Sequence, residues 1–422
     1  MEARTIERAG AMPAPTWHFL HMNDTDIEID AGLEPASDYA VELGDKLGDN
    51  ESAFDDAMAD AQKAWDAAHP GYEYQRNYTD EQAEKLGGTA LSQYQKNLDE
   101  TEATAQLVKM FENGLGKDAT EFLRQTADST QVIEAPAGSD TTAAIRLNGI
   151  DGHANVAAVD LVAGEGSTVQ LVITVDSPDA GTGLTGTTLR VFAGKGAQVE
   201  VIRVQTLDDS WMDLDDMGLF LADGSAIEID QTVLGAGKTY TGLAGDLRGD
   251  GSDAHVVTRY LGHGDQELDF NYILRHHGKK TTCNLYANGV LAGKSEKTLR
   301  GTIDLIRGAK GAEGQETDTV LLVDEGARNR TVPTILCNED DVMGNHGATI
   351  GHIRKEQMFY LSSRGLSPEA AEAMFVSAQL EDAALNAPDA ETRTAVMRLG
   401  DELVDGFSKT IDIDEDEDEE VA

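Results

Sequence analysis

The chain has 422 residues, and its 77 acidic side chains against 33 Lys and Arg give a formal net charge of −44. The length is ample for a buried core, but the charge argues against a basic surface for nucleic acid or anionic membrane and favours a cationic partner surface. Two cysteines, Cys283 and Cys337, rule out a disulfide framework and are too few for a self-contained thiolate metal site.

The segment Met1 to Glu7 lacks the apolar core of a signal peptide, and no stretch approaches the ~18 apolar residues of a membrane span. A cytoplasmic protein without a membrane anchor is expected. Residues 1 to about 50 read as mixed and loosely structured, with Trp17, Phe19 and Leu20 as their apolar anchor. From about Ser52 to Gln125 the spacing turns helical: Ala53, Ala57, Ala61, Ala64, Trp65 and Ala68 recur every three or four residues, as do Leu98, Ala105, Val108, Phe111 and Leu115. Asn50-Glu51-Ser52 and Pro70-Gly71 supply start and stop signals. Trp65, Tyr72, Tyr74 and Tyr78 read as packing aromatics, with a ligand platform as the alternative.

From about Gln131 to Asn338 the pattern changes to short alternating runs of Val, Ile, Leu and Thr broken by Gly, Asp and Ser. A turn-and-strand motif recurs, beginning at Gly164, Gly194, Ala222 and Gly249, with starts 30, 28 and 27 residues apart. Each copy places a glycine where the backbone can take positive φ, followed by a strand whose alternate residues point inward. A period in the high twenties suits a β-solenoid, in which each coil buries its apolar face only when the next stacks on it. An antiparallel sandwich is the competing architecture, but the two-residue hairpin turns it needs are scarce.

After Arg364-Gly365 the chain becomes helical again. Ser367 is suited to cap a helix that starts with Pro368 and carries Ala371, Met374, Phe375, Ala378 and Leu380. A second run from Ala390 to Phe407 aligns Val396, Leu399, Leu403 and Phe407 on one stripe. Two such short helices offer more apolar surface than they can bury against each other, so a face should pack on the solenoid or on a partner. Asp412, Asp414 and the acidic run from Glu415 to Glu420 should repel one another and act as a solubilising tail. The expected division is therefore an N-terminal mixed and helical region at 1–130, a β-helix core at 131–350, a C-terminal helical region at 351–411 and an acidic tail at 412–422.

Gly289-Val290-Leu291-Ala292-Gly293-Lys294-Ser295 superficially resembles a phosphate-binding loop. The first glycine of that motif would fall at Asn288, and Thr298 to Leu305 alternates as a strand where a helix is required, so no nucleotide is expected to bind this chain. Alternation from Ile335 turns the thiol of Cys337 inward, as a buried small hydrophobe. Cys283, close in sequence to Lys279 and Lys280, reads as an ordinary strand cysteine, with a lowered pKa if those cations approach it. His255, His263, His276 and His277 match no metal-binding spacing. His346 lies in an Asn-His-Gly segment that reads as a turn, and a neutral imidazole there is a suitable ligand for a borderline metal ion.

The stretch Asp340-Asp341-Val342-Met343-Gly344-Asn345-His346-Gly347-Ala348-Thr349-Ile350-Gly351, followed by Met358-Phe359-Tyr360-Leu361-Ser362-Ser363-Arg364-Gly365, closely resembles the C-terminal signature of the SufB/SufD family of iron–sulfur cluster assembly scaffolds. Gly289-Val290-Leu291, Gly301-Thr302-Ile303 and Thr331-Val332-Pro333 extend the resemblance upstream over about the last third of the chain. It implies a right-handed parallel β-helix flanked by helical parts, a SufB-like partner subunit, a SufC-type ABC ATPase docked by the C-terminal helices, and a transient iron–sulfur cluster shared at the subunit interface. It also makes His346 a candidate cluster ligand. Thr317 stands where SufB proteins carry a reactive cysteine, which places the chain on the SufD-like branch as a non-catalytic scaffold. Gly344 stands where many SufD sequences have a second thiol. The alternatives are a scaffold that pairs with a second copy of itself in a minimal system, and a carbohydrate-binding or carbohydrate-cleaving β-helix protein.

Overall fold

The computed structural model describes residues 1–14, 22–43, 52–68, 75–77, 95–97, 111–353, 355–404, 406–409 and 411. The anchor Trp17, Phe19 and Leu20, the tyrosines Tyr72, Tyr74 and Tyr78, the side chain of Trp65, the positions Leu98, Ala105 and Val108, the signals Asn50, Glu51, Pro70 and Gly71, and the acidic tail lie outside the described residues.

Two nine-stranded sheets face each other and alternate along the chain to give a β-solenoid of about 8 turns. The first sheet carries Asp140–Asn148, Thr168–Asp176, Gln198–Thr206, Ala226–Val233, Asp253–Gly262, Thr282–Leu291, Ala312–Leu322 and Val342–His352. The second runs through His153–Ala163, Gly183–Ala193, Trp211–Leu221, Lys238–Leu247, Glu267–His276, Glu296–Leu305 and Arg328–Cys337. Neighbouring strands of these two series pair in parallel, so the antiparallel sandwich is set aside.

The recurring turn generates this geometry. Gly166, Gly196, Gly224 and Gly251 have φ between 63° and 70°, at the same place in each copy. Residues bearing a Cβ rarely adopt that conformation, so glycine reverses the chain here at little cost. The serine after three of these glycines bonds back to the carbonyl three residues earlier, as in Ser167 Oγ to Gly164 O at 2.8 Å and Ser225 Oγ to Ala222 O at 2.8 Å. Ser295 makes the same bond to Ala292 O at 2.9 Å. The phosphate-loop lookalike is thus another coil turn, and it leads into the strand Glu296–Leu305.

Because paired residues in a parallel ladder point to the same side, each inward position builds a column through the coils. Ala143, Leu171, Val201, Ile229, Val256 and Leu285 form one such column, buried in the main core. The middle of the solenoid is polar. Arg203 pairs with Asp213 at 2.8 Å and Asp215 at 3.3 Å, while Gln231 and Thr187 each donate to Asp215 at 2.8 Å. Burial pushes the Asp215 carboxyl up, and Arg203 opposes that shift.

The described residues up to Leu43 are more structured than their mixed sequence suggests. Arg4–Ala9 and Thr25–Ile29 form an antiparallel pair, and Glu34–Ala36 and Tyr39–Leu43 complete the N-terminal edges of the two large sheets. Ile6, Ile27 and Ile29 are buried with Phe122 and Leu123 of the helix Lys117–Thr126. These strands are too short to announce themselves by alternation; their edges and apolar partners come from distant residues. The helix Ala53–Ala68 follows the predicted spacing, whereas Phe111 and Leu115, expected in a helix, lie in the non-helical segment before Lys117.

The connection into that second helix is held by one buried carboxylate. Asp216 accepts hydrogen bonds from Thr120 Oγ1 at 2.7 Å, Leu115 N at 2.9 Å and Asn113 Nδ2 at 3.0 Å. Burial outweighs these bonds and raises its pKa from 3.8 to about 7. A raised carboxyl pKa means that the folded chain holds a proton which the unfolded chain has released, so this contribution to stability is lost as pH rises from about 4 to about 7. Between pH 5 and pH 8, urea unfolding of the wild type should lose on the order of 2 kcal/mol relative to Asp216→Asn, in which that carboxyl no longer titrates.

Candidate functional site

The two ends of the first sheet differ. Tyr39–Leu43 covers one edge by antiparallel pairing with Asp140–Asn148, whereas Val342–His352 ends the other with no strand beyond it among the described residues. Met343 to Ile350 are all exposed. This strand carries His346, which lies in the ladder opposite Glu316. The Asn-His-Gly segment is therefore extended strand, not the turn that its local chemistry suggests; pairing along the whole of Ala312–Leu322 overrides the turn preference of Asn and Gly.

The apolar column described above changes character here. After Leu285 its next two members are Glu316 and His346. Glu316 is 2% exposed. Burial first, and the charge of Asp318 second, raise its pKa from 4.5 to about 7, while Lys297 acts in the opposite sense. Lys297 is itself buried and bonds Asp318 Oδ2 at 2.6 Å, and Thr331 Oγ1 donates to the same oxygen at 2.5 Å. Burial lowers the Lys297 pKa, and Asp318 opposes that shift. The last coils thus hold a polar interior beneath an exposed histidine. Sequence reasoning passed over Glu316, although counting five residues from each turn glycine, as in Gly166 to Leu171 and Gly251 to Val256, puts it at the same step after Gly311.

Of the two cysteines, Cys283 is the ordinary strand cysteine expected, whereas Cys337 departs from its expected burial. Cys337 belongs to the inward column of His276 and Leu305, as alternation predicts, yet it is exposed because no coil stacks beyond it among the described residues. Cys283 is buried and lies 3.1 Å from His276 Nε2. Its pKa is pushed up to about 12, mainly by burial, against the lowering that nearby lysines would cause. Burial lowers His276 to about 4, so the pair is a neutral thiol and imidazole at physiological pH. His277 is also buried, His263 lies beside Asp209, and His255 packs on Tyr286. Thr317 occupies an outward position in Ala312–Leu322, between the buried Glu316 and Asp318. Among the described residues, no three His, Cys, Asp or Glu side chains converge as a metal site.

Two C-terminal helices, Pro368–Leu385 and Ala390–Leu403, pack along the outside of the solenoid. Ser367 caps Pro368–Leu385 by accepting from Ala370 N at 3.1 Å, as expected. Val396, Leu399 and Phe407 bury against Val204, Leu234, Leu261 and Val290 on the outside of the solenoid, so that stripe is not surplus. Ion pairs fix it there, Arg146 to Asp389 at 2.7 Å and Arg398 to Asp176 at 2.6 Å. The unburied apolar surface is elsewhere: Phe359 is 76% exposed, Tyr360 57% and Met374 45%. No helix among the described residues is long and apolar enough to cross a membrane.

A parallel solenoid ending in this strand and these helices matches the model for the SufBD core domain of the SUF system for FeS cluster assembly over residues 145–379. That is more than half of the chain, which therefore belongs to the SufB/SufD family. It is SufD-like: it is 30% identical over 152 residues to the iron–sulfur cluster assembly protein SufD of Bacillus subtilis, covering 36% of this chain and 35% of that protein. It is also 27% identical over 160 residues to SufD of Escherichia coli, covering 38% of each. A chloroplastic SufBD family protein of Arabidopsis thaliana, ABCI8, is 28% identical over 243 residues, covering 54% of this chain and 43% of the relative. The matches thus span well under half of these relatives' own length. They favour iron–sulfur cluster assembly over the carbohydrate-active alternative.

The contrast between the thiols has a direct readout. Iodoacetamide at pH 8 should modify Cys337 in the native chain and leave Cys283 unmodified until urea unfolds the solenoid, as peptide mass mapping would record.

Proposed function

We propose that this chain is the SufD-like subunit of a Suf-type iron–sulfur cluster assembly complex, a cytoplasmic and non-catalytic scaffold whose cargo is a nascent cluster. The observation that carries this reading is the strand Val342–His352. It presents an exposed row of side chains and a backbone edge left unpaired by any described strand at the end of a long sheet, and such an edge is completed by adding a strand from another chain. A SufB-like subunit is the proposed partner, with His346 facing the shared cluster and thiolates supplied from the other side.

The domain assignment follows from the same reading: 131–350 is the scaffold proper and 351–411 the docking region for a SufC-type ABC ATPase. Phe359, Tyr360 and Met374 form its contact surface, because Val396 and Leu399 are already committed to the solenoid. Nucleotide-driven closure of the ATPase would then move the paired scaffolds, while this chain binds no nucleotide itself.

His346→Ala should leave the fold and partner binding intact, since an exposed side chain contributes little to the core, while lowering cluster transfer from the reconstituted complex to a target apo-ferredoxin by about tenfold or more. Transfer at the wild-type rate would remove His346 from the site, and strand addition by a second copy of this chain would identify a self-paired scaffold. Phe359→Ser with Met374→Ser should weaken binding of a SufC-type ATPase in a pull-down without changing the unfolding midpoint. Undiminished binding would move the docking surface away from these helices.

A further inference from the structure

Glu316 is out of place in its column. Six apolar residues precede it from Ala143 to Leu285, and it stands on the coil just inside His346. Both of its carboxylate oxygens are buried without a hydrogen-bond partner. Lys297 lies near enough to act on its charge but hydrogen-bonds Asp318 instead. A buried carboxylate with two idle oxygens is costly, and folded proteins neutralise such a group with a proton or a cation.

The surrounding residues make room for it. Across the interior lies Gly301, where a Cβ would fall 2.3 Å from Glu316 Oε1 and 2.7 Å from Oε2. Before Gly301 its column carries Val159, Leu189, Met217, Leu243 and Tyr272, and Pro333 follows it. A large side chain is thus replaced by glycine on the coil where a carboxylate replaces leucine. His346, on the same face one strand further out, is open to solvent and supplies an imidazole nitrogen. Adjacent strands lie about 4.8 Å apart, a separation that one metal ion bridges between a carboxylate and an imidazole.

Resting on the reading of His346 as a cluster-facing ligand, we infer that Glu316 and His346 together form a divalent-cation site at the open end of the solenoid. The site takes a borderline metal ion of the Fe2+ kind, with solvent or the partner completing its coordination. The carboxylate supplies a hard oxygen and the imidazole a borderline nitrogen, a donor set that suits such an ion.

Co2+ is the probe, because its visible absorption reports ligation directly and needs no cluster chemistry. The full chain should bind one Co2+ with a spectral change that Glu316→Gln and His346→Ala each weaken by about tenfold or more. Glu313→Gln, an exposed carboxylate on the same strand, should leave binding unchanged. Gly301→Ala provides a second route: its added methyl group displaces the carboxylate without altering either ligand, and it should weaken Co2+ binding too. Circular dichroism establishes that each variant folds, and Gly301→Ala decides the matter if Glu316→Gln does not. Wild-type affinity in both Glu316→Gln and Gly301→Ala would overturn the site, as would a wild-type chain that shows no such absorption. Those results would leave the ferredoxin assay of His346→Ala untouched, so the two readings fail separately.

Discussion

Register between successive coils is the constraint on which the structure depends. Each parallel rung places one side chain directly on another, so a residue is judged by the column it joins more than by its neighbours in sequence. Leu171 is buried because Ala143 and Val201 lie on either side of it, and Arg203 is tolerated inside because Asp213 and Asp215 face it across the interior. Truncating one member of that ion pair would leave an uncompensated buried charge, far more damaging than replacing the pair by apolar residues of similar shape.

This constraint explains what was legible in the sequence. The solenoid could be read because its turns repeat: the glycines at 166, 196, 224 and 251 share a backbone conformation that few other residues adopt. The cap at Ser367 was legible for the same local reason. Pairings between distant segments were not. The strands near the N-terminus depend on edges supplied by His153–Ala163 and Asp140–Asn148, and no short window contains that information. At the site, the family resemblance singled out His346 but local chemistry gave it the wrong conformation. Cys337 was assigned the correct face and the wrong exposure, because alternation reports direction and cannot report where stacking stops. Glu316 became legible only by aligning the coils with one another.

Charge is distributed unevenly between interior and surface. Arg203, Arg248, Lys297 and Arg300 are all among the largest fully buried side chains, in a chain with only 33 Lys and Arg. These cations are held inside with carboxylate partners, so the excess of acids stays on the surface. Such a surface repels itself and favours a compact state more strongly as salt screens it. Association with a cationic face would relieve the same repulsion.

The unequal ends of the first sheet bear on energetics as well as on recognition. In a stack whose stability is a sum over neighbouring coils, a terminal coil with one neighbour opens more readily than an interior one, so amide exchange should be fastest along 342–352 and slow toward the middle. A chain that completes that edge acts as the missing neighbour. Its binding free energy then appears as folding free energy of the last coil, rising with the logarithm of partner concentration, so assembly and the ordering of that strand become one equilibrium.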